Sequence, residues 1–179
     1  MKWYFLFLII FFCGSCINDL DDVERLLERE AHQTEWAKDV EIVYSDSVAV
    51  KVRITSPLLV RKADQVTPYD EFPEGVFVEF FDNQQNITST LSANYGIRYS
   101  NQKRIIVRDS VVLQNIHQER LETSELIWNE NDQEVHTDKF VKITKPEEII
   151  FAYGFRADQN FSEYELLSVA GRVKVEEEP

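Results

Sequence analysis

The sequence predicts an all-β domain of antiparallel hairpins, preceded by a signal peptide and a short N-terminal helix. Three observations support this fold class: an apolar leader, period-two alternation of apolar side chains through most of the later chain, and an internal repeat of strand, polar turn and strand. Twelve Phe and seven Tyr against five Gly also favour β structure with a large apolar interior.

The leader, residues 1–15, has the layout of a signal peptide. One lysine precedes an apolar run, Trp3–Phe12, which is shorter than the roughly 20 residues that a membrane span needs. Two small residues stand before Cys16, in a pattern that resembles the lipobox of bacterial lipoproteins. Two interpretations are open: a lipid is attached to Cys16 after cleavage, or the leader stays uncleaved as an anchor.

Residues 16–40 are predicted to form a lipid-anchored tether that is largely helical. Between Asn18 and Lys38 apolar side chains recur at intervals of three and four residues, which is helical spacing, at Leu20, Val23, Leu26 and Leu27. The β domain is expected over residues 41–175, and a short acidic tail over residues 176–179.

Alternation after Glu41 predicts a strand with one buried face, which is formed by Val48, Val50, Val52 and Ile54. Three prolines between Ser56 and Glu74 predict an irregular loop, because proline is excluded from central strands. A further strand from Gly75 is predicted to end in a hairpin turn at Asp82–Asn86.

The later chain contains a repeat of 30 residues. The segment LSANYGIRYSNQKRIIVRDSVVL, from Leu91, aligns without a gap on LETSELIWNENDQEVHTDKFVKI, from Leu121, and a weaker third copy begins at Phe151. Stacked hairpins bury a continuous apolar face only when neighbours pair edge to edge, which predicts a two-sheeted roll. Such a roll keeps open edges, and an open edge can bind a similar partner by strand addition.

Charge and cysteine content exclude two classes of protein. The net charge of -13 argues against a nucleic-acid partner, since phosphate binding needs a cationic face. The mature chain has no cysteine besides Cys16, so it has no internal disulfide framework.

Enzyme chemistry finds little support in the sequence. His32, His117 and His136 are scattered without metal-ligand spacing, so neither a metal site nor another cofactor is expected. Asp109 and Asp138 are interpreted as turn or strand-edge residues rather than as a catalytic acid and base, and no nucleotide-binding or nucleophile motif is present. We therefore expect no catalytic residues.

Several weak motifs, in order, resemble the LptC family, the periplasmic component of the lipopolysaccharide export system. They are the leader with its lipobox, RIIVRDSVVLQN from Arg104, the stretch from Leu121 to Ile143, and YGFRAD from Tyr153. The resemblance covers roughly Gly75 to Val175. It implies a β-jellyroll of the OstA type whose interior receives lipid acyl chains.

The resemblance also implies the partners and the location of the protein. Members of the family take lipopolysaccharide from an inner-membrane ABC transporter and pass it to the next OstA-like jellyroll of a periplasmic bridge, to which they are joined by edge strands. The expected location is the inner membrane, with a lipid anchor at Cys16 and the domain facing the periplasm. This chain departs from the best-known members by using a lipidated cysteine in place of a transmembrane helix.

Alternation places a set of apolar side chains on one inward face. These residues are the candidate lipid-binding groove, although the same pattern fits an ordinary sandwich core: Leu91, Tyr95, Ile97, Ile105, Val107, Val111, Leu113, Ile127, Val135, Val141, Ile143, Phe151, Tyr153 and Phe155. Trp128 and Phe140 fall on the opposite face, as a rim, a partner contact or a covered patch. The alternative function is a lipid-anchored structural or adaptor β-sandwich without a lipid ligand.

Overall fold

A computed structural model describes residues 34–46, 49–63 and 67–175. The signal peptide, Cys16, most of the helical tether and the acidic tail lie outside these residues. The described chain forms eleven strands and one turn of 3-10 helix at Ser100–Gln102, the strands being β1 (Thr34–Asp46), β2 (Ala49–Lys62), β3 (Tyr69–Phe72), β4 (Val76–Phe81), β5 (Ile87–Ala93), β6 (Tyr95–Tyr99), β7 (Arg104–Asn115), β8 (Arg120–Asn129), β9 (Glu134–Thr144), β10 (Glu148–Asp158) and β11 (Tyr164–Lys174). The predicted all-β class is confirmed.

Strand β1 begins earlier than the sequence predicts. Residues from Thr34 to Lys38, assigned to the helical tether, pair antiparallel with β2 from Lys62 to Leu58. Further along β1, Val40, Ile42 and Tyr44 pack against the core. The strand therefore extends to seven residues before Glu41, where pairing with β2 holds it.

Strand β2 continues through Pro57, where an irregular loop was predicted. The loop prediction is wrong for Ser56 to Lys62, which pair with β1, while β3 adds pairs at Val60 to Lys62. Pro57 is tolerated because it falls between the pairs Thr55↔Phe77 and Val60↔Glu71, where β2 changes neighbour from β4 to β3. Asp39, across from it in β1, has a φ of 49°. An open cleft of about 570 Å³ lies at this bend.

The hairpin turn between β4 and β5 is confirmed at Asp82–Asn86. The Asp82 carboxylate accepts hydrogen bonds from the backbone N–H of Gln84 at 2.8 Å and of Asn86 at 2.9 Å. These bonds stabilise the charged form, so the pKa of Asp82 lies below its usual value. An aspartate that binds the backbone two residues on is a standard turn former, which is why the sequence locates this turn well.

Six of the strands form a ring of pairings, in which β4–β5 and β3–β6 lie side by side between β2 and β7. Strand β7 pairs through its C-terminal half with β5 and through its N-terminal half with β6, and the order β5–β4–β2–β3–β6 completes the circuit. From β7 the sheet continues through β8, β9 and β10 to β11. Within the described residues β11 pairs with β10 alone and β1 pairs with β2 alone, so both strands are edges of the sheet.

The three repeat copies form the hairpins β6–β7, β8–β9 and β10–β11, and a line of bulges crosses them. Pairing shifts register between Arg108 and Val111 in β7, between Thr123 and Ile127 in β8, and between Tyr153 and Phe155 in β10. Positive φ angles mark the line: 61° at Asp109, 55° at Ser110 and 78° at Gly154. Bulges bend strands, so this line is where the sheet turns.

The bulge line also changes which side chains face inward. Strands β7 and β9 absorb extra residues at the line and keep odd-numbered side chains buried at both ends, as at Val107 and Val111. Strand β8 buries Leu121 before the line but Leu126 and Trp128 after it. The predicted inward face of odd-numbered residues is therefore correct for β7 and β9 and wrong for the second half of β8.

Candidate functional site

The apolar interior of the roll contains nine of the predicted groove residues. Their side chains are at most 2% exposed. They come from β5, β7, β9 and β10: Leu91, Ile105, Val107, Val111, Leu113, Val135, Val141, Ile143 and Phe155. Burying a side chain of this size is worth about 1.5–3 kcal/mol, so the same surface that would hold acyl chains is the main source of stability.

Five predicted groove residues lie away from the interior. Tyr95, Ile97 and Ile127 are half-buried and pair across strands with Arg108, Ile106 and His136, respectively. Phe151 is half-buried beside Lys142, and Tyr153 is 57% exposed. The prediction that these side chains face inward is wrong. It extends the alternation of each strand past an interruption, which is a bulge in β8 and β10 and Asn94 between β5 and β6.

Trp128, which the sequence places on the outer face, is instead an inner residue with 4% exposure. Its ring meets Phe80 edge-on at 5.4 Å and Tyr44 at 6.4 Å. It pairs directly with Ile105 and Val135, both buried. Three hydrophilic residues, Thr123, Ser124 and Glu125, interrupt the alternation just before it and are the sequence signal for the change of face.

A cluster of ion pairs lies at the end of the interior beside Trp128. Asp70, 2% exposed, contacts Arg61 at 2.7 Å and Arg98 at 3.4 Å, and Arg98 also contacts Glu130 at 3.3 Å. The Arg98 guanidinium stacks over the Tyr44 ring at 5.0 Å. Burial raises the pKa of Tyr44 to about 12, so this phenol stays neutral at physiological pH. The charges compensate one another and bind β2, β3, β6 and the β8–β9 turn together.

The turn from Gln159 to Glu163, between β10 and β11, crosses to the opposite side of the interior. The Ser89 hydroxyl donates a hydrogen bond to the Gln159 carbonyl at 2.7 Å, and the Asn115 amide donates one to the Phe161 carbonyl at 2.8 Å. A third bond of 2.8 Å joins the Thr88 hydroxyl to the Asn160 side-chain oxygen. These bonds join residues 46 to 72 positions apart in the sequence.

The free edge strand β11 exposes apolar side chains along its length. Leu167 is 62% exposed, Val169 54% and Val173 53%. Natural edge strands are usually protected by charge, proline or shortness, and a long apolar edge is a template for another strand. This edge therefore has the properties of a surface for strand addition.

A family model described as Lipopolysaccharide-assembly, LptC-related matches residues 6–174. The match spans nearly the whole chain. The chain belongs to the LptC family. Membership implies a role in lipopolysaccharide transport, at the periplasmic, inner-membrane-associated component of that system. Comparison with curated proteins found no match.

The LptC family is a transport family rather than one of enzymes. In this member, no group of three or more His, Cys, Asp or Glu side chains within the described residues is placed to hold a metal ion. Of the described segments, none forms a helix long and apolar enough to cross a membrane.

The outer face of this LptC domain has an aromatic patch one strand away from the free edge. Phe140, 45% exposed, stacks on Phe151 with ring centroids 6.1 Å apart and meets Tyr153 edge-on at 5.3 Å. The Phe151 ring lies over Gly171 of β11. The prediction that Phe140 lies on the outer face is correct, and its neighbours there are Phe151 and Tyr153, which were assigned to the groove.

Proposed function

We propose that this protein is a membrane-anchored carrier that receives lipopolysaccharide from the inner-membrane ABC transporter and passes it to the next jellyroll of the periplasmic bridge. Acyl chains would lie along the inner face of the roll, between the strands that bury Val107, Val141 and Phe155. Each CH₂ removed from water contributes about 0.8 kcal/mol, so an apolar face holds several chains without specific polar contacts. Cys16 would carry the lipid anchor.

The observation that supports this proposal best is the combination of a continuous apolar inner face with the free edge of β11. Both belong to the same sheet, which runs from the closed ring to β11 without a break in pairing. A bridge jellyroll that adds a strand to β11 would continue this sheet, so its own inner face would extend the apolar path. Lipid could then move along one surface without meeting water.

A second candidate function is favoured by the packing of the interior. Phe80, Phe155 and Phe161 have no exposed surface, so the inner face is filled by its own side chains. A lipid-anchored adaptor with a closed β-sandwich and no lipid ligand would look the same. The two functions differ in whether inner residues ever contact lipid.

Photo-crosslinking in cells distinguishes the two functions. p-Azidophenylalanine in place of Phe155, which is fully buried, should form adducts with lipopolysaccharide, whereas the same residue in place of Phe140 on the outer face should not. The two positions lie on neighbouring strands and replace the same side chain, so the comparison isolates the face. Adducts only with protein at position 155 would reject the carrier and support the adaptor.

A further inference from the structure

The β10–β11 turn, from Gln159 to Glu163, fills the interior with its own aromatic side chain. Phe161 has no exposed surface, and its ring lies 5.5 Å from Phe155 and 5.4 Å from Tyr164. Its φ of 54° is in the left-handed region, which a phenylalanine rarely adopts. The turn therefore holds an unfavourable backbone conformation in order to place an apolar ring among residues of the inner face.

Besides the buried Phe161 ring, hydrogen bonds hold the turn to the opposite wall. Three hydrogen bonds join it to Thr88, Ser89 and Asn115, and water can replace each of them when the turn moves away. Two of these wall residues are among the few buried polar side chains, since Ser89 is 2% exposed and Asn115 6%. A permanent closure would be more stable with apolar contacts at these positions, whereas hydrogen bonds suit a contact that opens.

The turn is also built to move as one unit. The Asp158 carboxylate accepts hydrogen bonds from the backbone N–H of Asn160 at 3.1 Å, of Ser162 at 2.9 Å and of Glu163 at 2.8 Å. These bonds lie within the turn itself and would survive its separation from the wall. The turn begins after the last β9–β10 pair, and β11 has one described neighbour, so moving the turn alone breaks no strand pairing and gives up one backbone hydrogen bond, from the Gln159 N–H to the Gln133 carbonyl.

We propose that the Gln159–Glu163 turn is a lid, and that its Phe161 ring occupies an acyl-chain site which it leaves when lipid enters. This inference rests on the proposed carrier function and names how its site is opened. A lid explains how a filled interior can bind lipid, because the Phe161 ring occupies the space that an acyl chain takes when the turn moves away. A bound chain recovers the contacts with Phe155 and Tyr164 that the ring gives up.

Binding of fluorescently labelled lipid A to the full chain tests the lid. Phe161→Leu shortens the side chain that competes with the acyl chain, so a larger share of molecules is open and the apparent affinity should rise about tenfold. Phe72→Leu is the matched control, because Phe72 is equally buried but contacts Gly96 in the closed ring. It should leave the affinity within about twofold of wild type.

Hydrogen exchange supplies a readout independent of the variants. In the wild-type protein, lipid A should accelerate exchange of the Gln159 amide, which donates to the Gln133 carbonyl at 2.9 Å across the interface between two turns. The Asn86 amide, which the Asp82 carboxylate holds at 2.9 Å within its own turn, should not change. Lipid binding with no change at Gln159 would overturn the lid.

The outcomes separate the lid from the carrier function itself. If the wild type and both variants fail to bind lipid A, the carrier function is rejected together with the lid. If the wild type binds but Phe161→Leu gives no gain, or if Phe72→Leu gives the same gain, the carrier stands and the lid is rejected. A gain confined to Phe161→Leu, with faster exchange at Gln159, supports the lid.

Discussion

Asp70 shows how a single carboxylate stabilises the closed end of this LptC domain. It is almost fully buried and lies between two arginines, Arg61 and Arg98, which come from strands on either side of β3. A buried charge is tolerated only when it is paired and hydrogen-bonded. The carboxylate therefore links β2, β3 and β6, the strands that complete the ring.

Replacing Asp70 by Asn should destabilise the domain by about 2–3 kcal/mol, because Arg98 loses one of its two carboxylate partners, the more deeply buried one. The loss is smaller than for a fully buried pair since the Arg61 side chain is 50% exposed and can return to water. Urea unfolding followed by far-UV circular dichroism measures the change.

Glu122→Gln is the control for Asp70→Asn. Glu122 also has two cationic neighbours, Arg120 and Lys142, but all three side chains are 37–42% exposed. Solvent screening limits its effect to below about 1 kcal/mol. Equal losses for the two variants would show that burial of Asp70 contributes nothing.

Tyr44 and Trp128 bridge β1 and β8 at this end through an edge-on ring contact of 6.4 Å. In the sequence both residues stand out only as isolated aromatics. Alternation alone cannot locate a change of face, because it depends on backbone bulges whose φ angles the residue types do not require: Asp109 and Ser110 both adopt positive φ although neither is glycine.

At the scale of elements, the bulge line converts straight hairpins into a bent roll. Gly154 is the point where β10 crosses it, with a φ of 78°. A Cβ atom built there would lie 2.7 Å from Leu167 Cδ1 and 3.0 Å from Leu167 Cβ. Glycine is therefore needed at this position both for the backbone conformation and for the approach of β11.

Gly154→Ala should destabilise the protein by about 2 kcal/mol, from the left-handed conformation and the contact with Leu167. Gly171→Ala is the matched control on the neighbouring strand. Its new Cβ would meet only Phe151 Cδ2, at an ordinary 3.9 Å, so the stability should stay within about 0.5 kcal/mol of wild type. Thermal unfolding of the two variants side by side checks the difference, and a Gly154→Ala protein as stable as Gly171→Ala would contradict it.

The hairpins themselves could be predicted from the sequence, since polar turns and apolar alternation are local signals. The strand pairs flanking the turns at Asn101 and Asp132 are where the repeat places them. The extent of β1 and the passage of β2 through Pro57 could not be predicted, because both depend on pairing with distant strands. In the third repeat copy the burial pattern is shifted by one residue relative to the sequence alignment. Ile150, rather than Phe151, is the buried residue that corresponds to Leu121.

The candidate site could be predicted only in part, for the same reason. Interior positions on β7 and β9 follow from alternation, which both strands keep across their bulges. Positions such as Ile127 do not, because β8 changes face between Leu121 and Leu126. The Gln159–Glu163 turn left no sequence signal beyond a polar stretch with one phenylalanine, since its role depends on contacts with residues near Ser89.

Within the described residues the sheet combines a ring of pairings with two edge strands, β1 and β11. Each of the six ring strands has a neighbour on both sides, so none of them presents a free edge. The edge strand β11 instead leaves one row of backbone groups and several apolar side chains exposed. Assembly with a bridge jellyroll, as proposed, would then occur at β11 with little change in the rest of the fold.

Val169→Lys should reduce the amount of OstA-like bridge protein that co-purifies with this protein from solubilised membranes by at least about fivefold, because a charge on an edge strand opposes strand addition. Val169 is 54% exposed, so the thermal midpoint should not change by more than about 2 °C. Undiminished co-purification would place the contact elsewhere.

The control for the edge is Phe77→Lys. Phe77 is 41% exposed on β4, which has neighbours on both sides, β2 and β5. The Phe77→Lys substitution adds the same positive charge at an exposed apolar position of a strand that is not at an edge of the sheet. Co-purification should equal that of wild type, and a loss as large as that of Val169→Lys would mean that added charge alone weakens assembly.

The 30-residue hairpin has a consequence for how such rolls lengthen. A gene duplication that copies one hairpin also copies its share of the bulge line, so the enlarged chain bends at the same place and ends in a new edge like β11. Docking of a separate jellyroll on that edge performs the same geometric step without a covalent link. Growth within one gene and, as proposed, assembly between two proteins would then lengthen the sheet in the same way, by adding strands at its edge.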